Sequence, residues 1–436
     1  MKVQLIMPGW APYTFWGQMP FKFPSLSLVT LAAYTPDEID ISIVDENVES
    51  IDFNDSVDLV GITVMTPLAN RAYEIADHFR KIGTTVVLGG FHPTWMTDES
   101  LQHADTVVVG EGEELWPQVL NDFRQGRLAK IYRSDAPVDL LRVKRPRRSL
   151  LEEKKYLFTN MIQVTRGCPY ACEFCSVTAF FGKRFRTRAI DSVIEEMDEM
   201  IKKNIFVFIV DDNIIYDRHY AEALFSEMTH LKIKWLSHAS LDFAVDRKLL
   251  SLAAKSGCMG MFVGIESLHA DNIAMMGKKT NRNALFAESI KVFHDNGIGI
   301  LASFVLGYDY DDKNTFDRLL DFCHAEKVDS AIFPVLTPFP GTALRERLSC
   351  QNRILSSDWS RYDMEHVNFQ PRLMSAAELQ EGFERINEGF WSFNSMLRRL
   401  CKLQRSNQVF VPMNIGFRSA WKKSRKTPEQ KGALCL

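Results

Sequence analysis

Short runs of β-branched and aliphatic residues alternate with longer amphipathic stretches along most of the chain. Before residue 130 the apolar runs predict five strands, at residues 3–7, 41–44, 59–64, 85–88 and 106–109. Strands that alternate with helix-length segments form parallel sheets covered by helices on both faces. Residues 1–135 are therefore predicted to form a doubly wound α/β domain.

A second alternating series begins near residue 160. It predicts strands at residues 162–165, 206–210, 235–239, 261–265, 300–306 and 331–336, with clear helical periodicity at 190–203 and 284–293. Six such units predict a partial βα barrel over residues 160–345, in which chemistry would take place at the carboxyl ends of the strands. The pattern after residue 345 is mainly helical and predicts a helical extension over residues 346–436.

Residues 136–159 join the two series and contain two prolines and a run of basic side chains. The basic residues are Arg142, Lys144, Arg145, Arg147 and Arg148. Runs of like charge usually remain in solvent. This segment is therefore predicted to be a solvated linker.

The composition excludes several classes of protein. The chain has 436 residues, of which 46% are hydrophobic and 25% charged, which is typical of globular domains. A formal net charge of −3 gives no overall attraction to nucleic acid or anionic membranes. The longest apolar run, residues 297–308, is too short for a membrane helix, and the amino terminus lacks the pattern of a signal peptide. We therefore expect a cytoplasmic protein.

Three cysteines, Cys168, Cys172 and Cys175, lie in a C-x3-C-x2-C pattern directly after the first strand of the second series. Three thiolates on one short loop can hold three irons of a [4Fe–4S] cluster and leave the fourth iron open to another ligand. Zinc is the alternative, but a closed zinc site needs a fourth Cys or His, and none lies within twelve residues on either side. The other five cysteines are expected to be dispensable for the cluster. They are Cys258, Cys323, Cys350, Cys401 and Cys435.

This cysteine pattern after the first strand of a partial (β/α)6 barrel resembles the radical S-adenosylmethionine (SAM) superfamily. The resemblance implies that SAM binds the open iron and that one electron cleaves it to a 5′-deoxyadenosyl radical. It also implies SAM-binding roles for seven residues, with the role of binding the SAM amine left open between Asp211 and Asp212. The seven are Phe174, Asp211, Asp212, Ser240, Glu266, Gly307 and Thr337. For Glu266, a place at the start of a helix is the alternative to SAM binding.

The order of elements in the first domain resembles a cobalamin-binding domain of the flavodoxin-like type. The family's D-x-H-x-x-G loop, which supplies a histidine to cobalt, should follow the first strand, but residues 8–17 contain no histidine. Other family positions are present and imply cobalamin contacts at Thr63, Met65, Gly89, Gly90, Glu111 and Gly112. His92, beside the glycine pair, is predicted to lie at the rim. A degenerate domain kept as a scaffold is the alternative.

The resemblance is closest to cobalamin-domain enzymes near the hopanoid methylases, which implies methylation of a non-nucleophilic carbon in a small apolar metabolite. A radical cyclase or oxidoreductase and a non-catalytic sensor are the alternatives. The implied partners are a small-molecule substrate and an electron donor such as flavodoxin or ferredoxin, without nucleic acid. The basic and aromatic tail at residues 397–426 is expected to be a solvated terminus, with peripheral membrane contact as the alternative.

Overall fold

The structure is a computed structural model that describes residues 1–134, 136–151, 155–156, 159–202, 204–278, 281, 285–402 and 404–426. Cys435 and the first position of the helix expected at 284–293 lie outside the described residues. Within them are fourteen strands and sixteen α-helices.

The strands are β1 (Lys2–Met7), β2 (Asp40–Asp45), β3 (Leu59–Thr63), β4 (Thr85–Gly89), β5 (Thr106–Val109), β6 (Ile131–Arg133), β7 (Met161–Ile162), β8 (Thr165–Arg166), β9 (Arg186–Thr187), β10 (Phe206–Ile209), β11 (Lys234–Ala239), β12 (Cys258–Glu266), β13 (Gly299–Phe304) and β14 (Ser330–Ile332). The helices are α1 (Leu26–Ala32), α2 (Ala69–Lys81), α3 (Phe91–Trp95), α4 (Thr97–His103), α5 (Trp116–Arg124), α6 (Ser176–Phe181), α7 (Ile190–Ile201), α8 (Arg218–Met228), α9 (Arg247–Lys255), α10 (Ala270–Met275), α11 (Phe286–Asp295), α12 (Thr315–Ala325), α13 (Ala343–Cys350), α14 (Ala376–Phe390), α15 (Phe393–Leu400) and α16 (Asn407–Ser424).

The first sheet is parallel, with strand order β2-β1-β3-β4-β5-β6. The order reverses between β1 and β3, which is where ligands bind in open α/β sheets. Helices cover both faces, and the central strands are buried because they pack on both sides. The expected doubly wound fold is confirmed, with β6 as an additional edge strand that the sequence pattern did not predict.

The second sheet is also parallel and follows the chain in the order β7-β10-β11-β12-β13-β14. The six expected strands are present, which confirms the partial barrel. The first of them is divided, because β7 joins the barrel while β8 turns away and pairs antiparallel with β9. This division places the cysteine loop directly after β8.

The sequence predicted a solvated linker, but part of its basic run is paired with the barrel. Arg145 forms ion pairs with Glu195 and Glu199 on α7, and the half-buried Arg148 lies 2.6 Å from the buried carboxylate of Glu196. The basic run therefore ties the segment between the two sheets to the acidic face of a barrel helix.

The tail is packed against the barrel, so the expectation of a solvated terminus is wrong for the described residues up to 426. Helix α16 buries Phe410, Phe417 and Trp421. The ring of Phe410 lies over Gly260 and Gly299, where an added Cβ would come within 2.6 and 2.4 Å of it. Glycine at these two positions leaves room for the ring. Of the helices described, none combines the length and the apolar character needed to cross a membrane.

We predict that Phe410→Ala destabilises the barrel, because it leaves a cavity over the two glycines. Loss of a buried phenylalanine costs about 3–5 kcal/mol. The matched control is Ile415→Ala on the exposed side of the same helix, which should change the free energy of unfolding by less than about 0.5 kcal/mol. Urea unfolding of both variants measures the difference. Equal effects would show that α16 is not part of the folded core.

Candidate active site

A cleft of about 370 Å³ opens between the carboxyl edge of the first sheet and the start of the barrel. All six residues expected to contact cobalamin line it: Thr63, Met65, Gly89, Gly90, Glu111 and Gly112. The barrel contributes Gln163, Arg166, Phe180, Phe181 and Val210 to the opposite wall. The topology thus brings the two halves of the chain together around one space.

Glycines give this cleft an open floor. A Cβ at Gly110 would meet no atom within 4 Å, and one at Gly89 would come no closer than 3.7 Å to Val108. Gly90 is favoured for a different reason. Its φ is +104°, and an added Cβ would come within 3.1 Å of the Val64 backbone. Small residues along the edge of a parallel sheet permit close approach of a bulky ligand. The edge of the sheet therefore leaves room for a bulky ligand in the cleft.

No histidine is among the described residues that line the cleft. His92 is fully buried and does not lie at the rim, as the sequence suggested. Its Nε2 is 3.0 Å from the hydroxyl of Tyr73, and its ring meets Trp359 edge-on. Burial lowers the pKa of His92 to about 4, so the imidazole is neutral at pH 7. It is a core histidine.

Buried ion pairs connect the two walls of the cleft. Arg166 of β8 donates to Glu111 at 2.5 Å and to Glu113 at 2.7 Å, and Arg186 of β9 donates to Glu111 at 2.8 Å. The Glu111 carboxylate also accepts from the amide of Val138 in the linker. Its oxygens are thus engaged by the protein, and a contact of this carboxylate with cobalamin stays a prediction.

The cysteine loop begins two residues after Arg166. Burial raises the pKa of Cys168 to about 11 and that of Cys172 to about 12, and the charge of Cys175 acts in the same direction on both thiols. All three cysteines are partly buried, and the Cys175 amide donates to the Cys172 carbonyl at 3.1 Å. Among the described residues no group of three His, Cys, Asp or Glu side chains is arranged around a single metal ion. A [4Fe–4S] cluster does not require one, because each thiolate binds a different iron.

The structure separates the two aspartates after β10. Asp211 is fully buried and accepts hydrogen bonds from the Val164 amide and from the amide and hydroxyl of Thr165, at 2.7–2.9 Å. Its carboxylate therefore holds the turn that leads into the cysteine loop. Asp212 accepts only the Gly167 amide, at 3.1 Å, among its hydrogen bonds in the described chain. Because Gly167 immediately precedes Cys168, this hydrogen bond places the Asp212 carboxylate at the start of the cysteine loop, and its charge helps to raise the pKa of the Cys168 and Cys175 thiols.

Glu266 lies at a β-bulge at the end of β12, with φ of +69°. A non-glycine residue in this conformation is strained and is often held so for function. Its carboxylate lies 2.5 Å from Nζ of Lys278, which also donates to the Gly264 carbonyl. The charge of Lys278 lowers the pKa of the Cys172 thiol, and the charge of Glu266 raises it. Sequence reasoning missed Lys278, because it lies twelve residues after Glu266 and beyond α10, away from any strand end.

The other predicted SAM residues are engaged within the protein. The Ser240 hydroxyl lies 2.5 Å from Asp242, and the Thr337 hydroxyl donates to the Val335 carbonyl in the segment that follows β14. The amide of Gly307 donates to Asp311 at 2.8 Å. Any SAM contact at these three positions stays a prediction.

Tyr308 is a second residue that sequence reasoning missed. Its side chain is buried, yet its hydroxyl has no hydrogen-bond partner in the described chain. The ring packs edge-on against Phe174, with centroids 6.2 Å apart. A buried hydroxyl without a partner costs about 1–3 kcal/mol, and a bound ligand at the cysteine loop would remove that cost. Phe174 and Tyr308 thus form an aromatic wall beside Cys172.

The inner face of the barrel is mainly apolar. On β11, Trp235 packs outward against Phe225 of α8, so the alternation of the strand turns His238 inward. His238 lies between Phe208 and Phe262, with ring centroids 5.6 and 4.9 Å away. Burial lowers its pKa to about 4. A neutral imidazole between two phenylalanine rings therefore faces the interior of the barrel.

Comparison with known proteins defines the class. The Radical SAM superfamily profile matches residues 162–323, and the B12 binding domain profile matches residues 17–120. The chain belongs to the radical SAM superfamily and carries an amino-terminal B12-binding domain. It is a radical SAM enzyme, and its cofactors are a [4Fe–4S] cluster, SAM and cobalamin.

Among its relatives is bacteriochlorophyllide d C-12(1)-methyltransferase of Chlorobaculum tepidum, 31% identical over 86% of this chain and 84% of that protein. Hopanoid C-2 methylase of Rhodopseudomonas palustris is 27% identical over 77% of this chain and 66% of that protein. The methyltransferase TsrM of Kitasatospora setae, solved with cobalamin and a [4Fe–4S] cluster, shares the fold. Its TM-score is 0.70 at 15% identity, over 99% of each chain.

We predict that Asp212→Asn weakens SAM binding while Asp211→Asn lowers stability instead. Loss of a charge-assisted hydrogen bond costs about 1.5–3 kcal/mol, or about ten- to a hundredfold in affinity. Equilibrium dialysis of SAM against the cluster-loaded variants measures the first effect, and thermal unfolding measures the second. Unchanged SAM affinity in Asp212→Asn would contradict the assignment.

Proposed function

We propose that this enzyme methylates a non-nucleophilic carbon of an apolar metabolite. The observation that carries the proposal is the aromatic inner face of the barrel, where Phe208 and Phe262 flank His238. Such a wall favours an apolar skeleton. The exposed Phe23 extends it outward, since its ring lies 5.8 Å from Phe208.

The names of two relatives suggest a class of substrate for the proposal. One is named for methylating a bacteriochlorophyllide and another for methylating hopanoids. Both compounds are built on large, mainly apolar ring systems. We extend this class to the present enzyme and propose a polycyclic apolar substrate in the barrel.

The proposed roles follow from the contacts of the side chains. Cys168, Cys172 and Cys175 would hold the cluster, and Asp212 with the Glu266–Lys278 pair would orient the amine and carboxylate of SAM through opposite charges. When bound, the cluster with SAM supplies radical chemistry, and cobalamin supplies methyl transfer. The chain itself holds the reactants together and limits water through the aromatic wall of Phe174 and Tyr308.

Three further features belong to the proposal. A small electron-transfer protein such as flavodoxin or ferredoxin would reduce the cluster. The cobalamin domain would cover residues 1–135, the linker 136–159, the barrel 160–345 and the helical extension 346–436. Cobalt would have no protein histidine ligand, since none of the described residues lining the cleft is a histidine.

We predict that methyl-deuterated SAM labels the product. The enzyme is reconstituted anaerobically with iron, sulfide, hydroxocobalamin and a chemical reductant, then incubated with an apolar extract of its source cells. Mass spectrometry should show a compound that gains an intact deuterated methyl group, together with 5′-deoxyadenosine. Cys172→Ala should form neither, because the cluster would lack one of its three ligands.

Two results would contradict this function. Release of 5′-deoxyadenosine with a new product that carries no label would identify a cyclase or oxidoreductase. Bound cofactors without SAM turnover in any extract would favour a sensor.

A further inference from the structure

Helices α15 and α16 form an antiparallel pair, which we call the C-terminal hairpin (residues 393–424). Side chains connect the helices along their length. The Asn407 amide reaches the Leu400 carbonyl at 3.3 Å, and Arg399 reaches Asn414 at 3.1 Å. At the far end the Arg418 guanidinium lies 4.2 Å from the ring centre of Phe393. The hairpin is therefore one structural unit.

The inner face of the hairpin is fixed to the barrel. Arg399 is fully buried and donates to the carbonyls of Val328 and Asp329 at the start of β14. Phe417 packs edge-on against Phe15, with centroids 5.6 Å apart. Because these contacts hold the inner face in place, the side chains on the outer face are permanently presented to solvent.

That outer face carries large apolar side chains. Phe393 and Leu397 of α15 are 64% and 67% exposed, and Val411 and Ile415 of α16 are 37% and 57% exposed. Each pair is four residues apart, so each forms a stripe along its helix. Single exposed apolar residues are ordinary, whereas a cluster of them marks a contact surface.

The charged residues of the C-terminal hairpin and the two residues after it are all basic. Residues 393–426 contain nine lysines and arginines and no aspartate or glutamate, in a chain whose net charge is −3. Arg399 is buried, and Lys402 and Arg425 pair with carboxylates of other elements. The exposed basic side chains are Arg398, Arg405, Lys422, Lys423 and Lys426. Lys422 and Lys426 follow Ile415 by seven and eleven residues, which places Lys422 on the same side of α16 as the apolar stripe and Lys426 just beyond the end of the helix.

We propose that the outer face of the C-terminal hairpin docks on an anionic lipid bilayer. Basic residues next to apolar ones are typical of surfaces that lie in the membrane interface, where the cations meet lipid phosphates and the apolar side chains enter the acyl boundary. The core of a protein–protein interface is instead depleted of charge. The buried Phe410, Phe417 and Trp421 take no part. This inference is independent of the proposed substrate.

The test is flotation of the cofactor-loaded enzyme with lipid vesicles. Vesicles of phosphatidylcholine with one quarter phosphatidylglycerol should carry the enzyme, and vesicles of pure phosphatidylcholine should carry much less. The double variant Phe393→Ser/Leu397→Ser should lower the bound fraction about tenfold, and so should Arg398→Gln/Lys422→Gln. The matched control Leu141→Ser/Val245→Ser removes apolar side chains that are 67% and 73% exposed elsewhere and should bind as the wild type does.

Thermal unfolding shows that each variant is folded before it is compared. Absence of binding by the wild type, equal binding to both vesicle types, or equal losses in the hairpin and control variants would overturn the proposal. Binding of an acidic flavodoxin at Phe393 and Leu397, without binding to vesicles, would also overturn it in favour of a protein partner.

Discussion

The buried contact of Arg166 with Glu111 and Glu113 is the constraint on which the arrangement of the site depends. Arg166 lines the cleft and precedes the cysteine loop by two residues, and its partners come from the opposite domain. A buried charge that loses its partner costs about 3–5 kcal/mol, so the cysteine loop is held where both carboxylates can reach the guanidinium. The cleft and the cysteine loop therefore adjoin each other, because this ion pair joins the two domains beside them.

The carboxyl-terminal helices complete the barrel from the other side. Phe410 fills the space over Gly260 and Gly299, and Phe417 meets Phe15 of the amino-terminal loop. The amino-terminal loop that follows β1 and helix α16 thus pack against each other beside the barrel. Phe15 therefore has a structural role in this packing.

The sequence predicted what is encoded locally. The C-x3-C-x2-C pattern occupies eight consecutive positions, and the strands alternate visibly, so the class of enzyme and the fold could be inferred. The different surroundings of Asp211 and Asp212 could not be inferred, because the two residues are adjacent in sequence. They differ through tertiary contacts, since the Val164 and Thr165 amides donate to Asp211. Lys278 and Tyr308 could not be inferred either. Lys278 contacts Glu266 at the β-bulge, and Tyr308 contacts Phe174 through its buried ring. The packing of the tail depends on glycines more than a hundred residues away.

Hydrogen exchange of the cysteine loop in Glu111→Ala tests the central claim most directly. If the ion pair holds the loop, amides in residues 166–176 should exchange faster in this variant than in the wild type, although Glu111 lies far from them in sequence. Glu288→Ala, which removes an exposed partner of Arg247, should leave the loop unchanged. Faster exchange confined to the neighbourhood of residues 111 and 138 would contradict the account.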